Sequence, residues 1–236
     1  MVIRPRILGN DPLPQQWTRG GPPHVWLLRI ADHGAPSAEE CNAILDPEER
    51  DRAKAFIHDL HRTRYAASHL ALRRLLGAYL GEAPEEVRLT REPCPGCGGP
   101  HGRPAVAGAP LHFNLSHAGD LALLAFADTP VGADVEVQQP LSVVTEVSRM
   151  LHPREVAELD ALPASARPQA FARCWTRKEA YLKGTGTGLS ESPAVTYVGS
   201  GEVPASPPGW GLTDVDAGQG HAAAIAVASP GGRWDR

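Results

Sequence analysis

Lysine is scarce in this chain: of 23 basic residues only Lys54, Lys178 and Lys183 are lysines. Two of those three fall in one short stretch, "FARCWTRKEAYLKGTGTGL" (171–189), which marks that stretch for scrutiny. No run of apolar residues approaches 18, which excludes a membrane-spanning helix. The start "MVIRPRILGNDPLPQQ" has no apolar segment after its charged residues, so no secretory signal is expected and a cytoplasmic protein is. Four cysteines in 236 residues make no secreted disulfide framework. A net charge of −4 argues against broad binding to nucleic acid or anionic membrane. The positive charge is uneven all the same, with Arg50, Arg52, Lys54, Arg62, Arg64, Arg73 and Arg74 crowded together. There is no P-loop, no dinucleotide fingerprint and no G-x-S-x-G elbow. The glycines of "GTGTG" follow a helical pattern instead of linking a strand to a helix N-terminus, and read as a helix stop.

What is present suffices for a core, since 42% of the residues are hydrophobic. A Pro/Gly-rich leader (1–23) precedes the strand "HVWLLRIAD". A long helical region follows, from "LDPEER" to "HLALRRLLGAYLG", with Gly81 and Pro84 as its stop. The loop "REPCPGCGGPHGRP" leads to strands "LHFNLSH" and "LALLAFAD", then "VGADVEV". A second helical region, "LHPREVAELDALPASARPQAFARCWTRKEAYLKG", should be broken by Gly184, Gly186 and Gly188. Short strands "AVTYVG", "WGLTDVD" and "HAAAIAVA" complete the chain. At an offset of 106 residues Val25 meets Val131, and Leu45, Pro47 and Glu49 meet Leu151, Pro153 and Glu155. The expected fold class is therefore α+β, a pseudo-dimer of two similar halves (1–127 and 128–236), with a ligand site in the cleft between them.

Strand alternation sends Asp134 and Glu136 of "VGADVEV" to one face, roughly 6–7 Å apart. Their repulsion requires solvent, a basic side chain or a cation. In the opening stretch Phe171, Cys174, Trp175 and Leu182 form one helical stripe, with Lys178 and Glu179 on or beside it. A plain reading makes "VGADVEV" a solvent-facing edge and Glu179–Lys183 a surface bridge. The alternative aims Glu179 into a groove with Asp134 and Glu136, an oxygen-only set suited to Mg²⁺ or Mn²⁺. "CPGCGGPH" offers Cys94, Cys97 and His101, too few ligands for a closed zinc site, so zinc is not expected to be needed for folding. Cys41 and Cys174 read as core residues.

The order "GRP", "FNLSHAGD", "VGADVEV", "WTRKEAYLK" resembles the 4′-phosphopantetheinyl transferases of the surfactin-synthetase-activating type, over roughly Val25 to Ala228. The resemblance implies a monomeric enzyme that moves the phosphopantetheine arm of coenzyme A to a serine of an apo acyl or peptidyl carrier protein. It also implies adenosine 3′,5′-bisphosphate as by-product. By the same resemblance Asp134, Glu136 and Glu179 would hold Mg²⁺, Lys183 would reach the pyrophosphate, and Lys178 would line the site. Glu179, Asp134 and Lys183 would be the catalytic set. Arg103 stands where lysine is usual, Ser116 and His117 match coenzyme phosphate contacts, and Arg52 and Arg64 match nucleotide contacts. Glu49 falls where a basic contact is common, with Arg50 as a substitute. A divalent-metal phosphohydrolase with water as nucleophile is the rival enzyme. A non-catalytic carrier-binding module is disfavoured by the intact carboxylates and Lys183.

Overall fold

The computed structural model describes residues 2–100, 102–188 and 191–230. Its strands are β1 (Val2–Ile3), β2 (Arg6–Ile7), β3 (His24–Arg29), β4 (Leu89–Arg91), β5 (Pro104–Val106), β6 (His112–Ala118), β7 (Leu121–Ala127), β8 (Val131–Val137), β9 (Trp210–Val215) and β10 (His221–Ala228). Its α-helices are α1 (Ala38–Ile44), α2 (Pro47–Ala55), α3 (Asp59–Leu80), α4 (Leu141–Val147), α5 (Pro153–Asp160) and α6 (Arg167–Thr185). One sheet has the order β2-β3-β7-β6 and a second β1-β9-β10-β8, while β4 and β5 form a separate ribbon. In each sheet the closing strand of a hairpin lies between its hairpin partner and the first long strand of that half, all antiparallel.

Period-two burial stacks these layers. On β7, Ala122, Leu124 and Phe126 pack with Ala71, Leu75 and Leu76 of α3. The alternate residues Leu121, Leu123 and Ala125 meet Val131, Ala133, Val135 and Ile225 of the second sheet. On β10, Ala224 and Ala226 face Phe171, Cys174 and Ala180 of α6. The order is α3, first sheet, second sheet, α6. Because β7 is covered on both faces, it reads as an unbroken apolar run.

The leader is not mere loop. β1 pairs parallel with β9 and β2 with β3, so its two short strands sit on different sheets. Asp128 then ties it down, accepting from Trp17 Nε1 at 2.8 Å and from the Gly20 amide at 2.6 Å.

The 106-residue match has a local cause. Pro47 and Pro153 each open a helix in the first turn, where the missing N–H costs nothing. Glu49 and Glu155 are the third helical residues, and each closes a capping box back onto the chain. Both are buried, and each takes a buried cation from its long helix: Arg73 of α3 for Glu49, Lys178 of α6 for Glu155.

Several expectations need correction. The first helical region is interrupted at 56–58, where Phe56 and His58 adopt extended backbone between α2 and α3. The second splits between α5 and α6, with Pro168 in the first turn of α6. Helix α4 was not anticipated. "AVTYVG" is not a strand, because side chains take its backbone groups: Glu155 accepts from the Val198 and Gly199 amides, and the Thr196 and Gly199 carbonyls accept from Lys178 and Arg177. Gly184 does not break α6; it lies inside the helix, and Gly186, at φ +79°, ends it. Gly132 is the glycine needed where β8 crosses α6. A Cβ on Gly132 would stand 1.9 Å from the Ala180 carbonyl oxygen and 2.4 Å from the Gly184 nitrogen.

Candidate functional site

That close crossing brings the face of β8 carrying Asp134 and Glu136 against the last two turns of α6, which carry Glu179 and Lys183. The edge strand of the other sheet, β6, closes on the same point. Asn114 Oδ1 accepts from the Ala133 amide at 3.1 Å, fixing the two edges side by side. Ser116, two residues on, donates to Asp134 Oδ1 at 2.8 Å. Lys183 Nζ donates to the same oxygen at 2.6 Å and to Ser116 Oγ at 3.0 Å. Ser116, Asp134 and Lys183 thus come together from three separate elements. Asp134 is 2% exposed, so it does not lie on a solvent-facing edge. Lys183 makes its ion pair with Asp134, which leaves the plain Glu179–Lys183 bridge without its cation.

The carboxylates are held against their ordinary behaviour. Burial pushes Asp134 up, opposed by the Lys183 ammonium and the Ser116 hydroxyl. Burial, then the charge of Asp134, raises Glu179. Burial, then the charges of Asp134 and Glu179, raises Glu136 to about 7. Glu136 and Glu179 therefore each feel the charge of Asp134. The other oxygen of Asp134, Oδ2, is buried and has no hydrogen-bond partner. A buried lone carboxylate oxygen amid repelling acids is chemistry that a hard cation satisfies. Among the described residues no ready-made cluster of three His, Cys, Asp or Glu side chains stands around a metal position, and Lys183 occupies the Asp134 carboxylate instead.

The sign of the Glu136 shift gives a testable result. A raised acid holds its proton longer in the folded state, so between pH 4.5 and about 7 the unfolded chain binds fewer protons. The metal-free protein should lose stability as pH rises through that window. Glu136→Gln should melt above wild type at pH 8 in chelator and level with it near pH 4.5. An offset independent of pH would remove Glu136 from the acid cluster.

The remaining expected residues divide. Arg103 reaches the site from the β4–β5 ribbon, and its NH1 donates to the Gly184 carbonyl. His117 is exposed at the end of β6; desolvation, then the charges of Lys183, His69 and Arg64, hold it below its ordinary value. Arg64, on α3, bonds Asp120 in the β6–β7 turn through Nε at 2.9 Å. Arg52 is exposed in the last turn of α2. Lys178 does not line the site. It is buried, 2.9 Å from Glu155 Oε2, and donates to the Thr196 carbonyl. Glu49 is likewise internal, bonded to His69 and Arg73, and Arg50 turns back to the Leu45 and Asn42 carbonyls. Cys174 is in the core and Cys41 is half-buried beside Leu45. Cys94 is half-buried and Cys97 exposed, and His101 lies outside the described residues.

Two residues escaped the sequence reading. Asn114 shares a strand face with Ser116, so alternation within "FNLSHAGD" could have found it. Glu92, which accepts from Arg103 Nε at 2.9 Å, carries no signal, because that pairing depends on the turn between β4 and β5.

With this geometry in place, the chain is similar to proteins of one kind. The family model described as the 4′-phosphopantetheinyl transferase superfamily matches residues 130–203. The 4′-phosphopantetheinyl transferase HetI of Nostoc sp. is 34% identical over 217 residues, covering 88% of each chain. The 4′-phosphopantetheinyl transferase Sfp of Bacillus subtilis is 27% identical over 155 residues, 64% of this chain and 65% of the relative. The 4′-phosphopantetheinyl transferase AcpT of Salmonella typhimurium is 42% identical over 123 residues, 51% of this chain and 59% of the relative.

Proposed function

The chain belongs to the 4′-phosphopantetheinyl transferase superfamily and is an enzyme of that class, and we propose that it transfers the 4′-phosphopantetheine arm of coenzyme A to a serine of apo acyl or peptidyl carrier proteins. The observation that carries the site assignment is the junction of Ser116, Asp134 and Lys183 with the unpartnered Asp134 Oδ2. Asp134, Glu136 and Glu179 would hold Mg²⁺ or Mn²⁺. Bound there, the cation supplies neutralisation of pyrophosphate charge.

The chain's own residues do the rest. Lys183 leaves Asp134 for the pyrophosphate oxygens, while Arg103, Ser116 and His117 contact coenzyme phosphates and Arg52 and Arg64 the nucleotide end. Each charge-assisted contact is short and directional, so together they hold the β-phosphorus in line with the incoming hydroxyl. The carrier serine oxygen bonds to the β-phosphorus as the bridging P–O bond breaks. The electron pair leaves with adenosine 3′,5′-bisphosphate, and the Glu179 carboxylate takes the serine proton. A groove beside Glu136, lined by Val137, Val143, Val147 and Trp175, gives a folded protein substrate an apolar surface to meet.

We propose also that the halves are a pseudo-dimer with the site in the cleft between them. The like strand orders and paired capping boxes support that reading. One chain then supplies both walls, and the enzyme acts as a monomer in the cytoplasm. No helix among the described residues is long and apolar enough to cross a membrane.

Incubation with coenzyme A, Mg²⁺ and an apo carrier protein should add one phosphopantetheine to the carrier by mass spectrometry. Release of free phosphopantetheine with no carrier present would instead identify a phosphohydrolase.

A further inference from the structure

Glu92 is a carboxylate that none of these steps uses. It follows Arg91, the last residue of β4, and is half-buried beside the arginine of the "GRP" stretch. Its Oε2 accepts from Arg103 Nε at 2.9 Å and from NH2 at 2.5 Å, while its Oε1 lies 3.4 Å from His112 Nδ1. Two N–H bonds from one edge of the guanidinium converge on this single oxygen, a charge-assisted contact that fixes the position of that edge. The backbone is locked with it: the Glu92 amide donates to the Arg103 carbonyl and the Gly102 amide to the Glu92 carbonyl, both at 2.9 Å. Only glycine fits at 102, where a Cβ would stand 2.4 Å from the Glu92 carbonyl oxygen. The far end of the guanidinium, NH1, donates to the Gly184 carbonyl, one residue beyond Lys183. Of the five N–H groups of an arginine, these contacts occupy three and leave two for a ligand.

We propose that Glu92 is the positioning residue for Arg103, holding its guanidinium in the one orientation that braces the end of α6 and presents its remaining donors to the coenzyme phosphates. This rests on the reading of Arg103 as a phosphate contact. The opposite role is physically distinct: a carboxylate that merely competes with phosphate for the guanidinium would weaken coenzyme binding, and its removal would tighten it. The two roles predict opposite signs.

The test uses the full chain, with coenzyme A varied against a fixed apo carrier protein. Glu92→Gln and Glu92→Ala should raise KM for coenzyme A about three- to tenfold, the cost of freeing one long side chain, with kcat within about twofold. In an Arg103→Ala background, Glu92→Ala should raise KM no further. A lowered or unchanged KM in the single variants, or an equal further rise in the Arg103→Ala background, would overturn the inference. A second measurement needs no coenzyme. The Arg103 Nε–H resonance, assigned through Arg103→Lys, should be protected from solvent exchange in the wild type and unprotected in Glu92→Ala. Protection that survives Glu92→Ala overturns the positioning role. An Arg103→Ala KM equal to wild type would overturn the phosphate contact instead, and the exchange measurement still decides whether Glu92 orients the guanidinium.

Discussion

Glu179→Gln is expected to lower turnover about 10²- to 10⁴-fold, the range for loss of a general base, while the metal-free protein melts at or above the wild-type temperature. The substitution keeps the shape of a half-buried side chain and removes its charge and basicity. It also removes one member of a set in which Asp134 raises Glu179 and Glu179 raises Glu136, so self-repulsion falls. Asp134→Asn should lose turnover for a different reason. Its side-chain oxygen can still accept from Ser116, and Lys183, whose side chain is 31% exposed, can turn to water, so folding is little changed. What it loses is the charge on the carboxylate whose second oxygen has no partner. Raised Mg²⁺ or Mn²⁺ should therefore restore part of the activity of Asp134→Asn and less of that of Glu179→Gln. Near-normal turnover in Glu179→Gln would end its catalytic assignment.

The site was legible in the sequence where local periodicity decides orientation. Alternation along "VGADVEV" put Val131, Ala133 and Val135 into the inter-sheet core and turned Asp134 and Glu136 the other way, as found. The uninterrupted "LALLAFA" read as a strand because both its faces are covered. What could not be read depends on tertiary contacts. Gly184 looks like a helix breaker until the Trp210 ring is seen 2.6 Å from where its Cβ would stand. "AVTYVG" has the residues of a strand, yet α5 and α6 side chains claim its amides and carbonyls before any neighbouring strand can. The pairing of Lys183 with Asp134 across 49 positions has no spacing signal either. Of the two lysines in the 171–189 stretch, Lys183 pairs with Asp134 beside the acids, while Lys178 pairs with Glu155 in the core.

Lys178 carries the second large expectation. A buried cation opposite a buried anion is dearest when one partner is removed, because the survivor keeps its desolvation cost without compensation. Lys178 is 1% exposed and Glu155 0% exposed. Glu155 also accepts from the His152, Val198 and Gly199 amides, at 3.1, 2.7 and 3.3 Å, so it pins α5 and the segment after α6 as well as the lysine. Glu155→Ala should therefore cost about 3–5 kcal/mol. In a chain of this size that lowers Tm by about 6–20 °C. Lys178→Met should fall near the lower end, since Glu155 retains its three amide donors. Neither change touches Asp134, Glu136, Glu179 or Lys183. At a temperature where the variant remains folded, Lys178→Met should keep KM for coenzyme A and kcat within about twofold of wild type. A lysine lining the coenzyme site would behave in the reverse way, with Tm unchanged and KM raised about tenfold for a lost charge-assisted contact. Melting and KM measured together on Lys178→Met separate the two, and a raised KM at unchanged Tm would return Lys178 to the site.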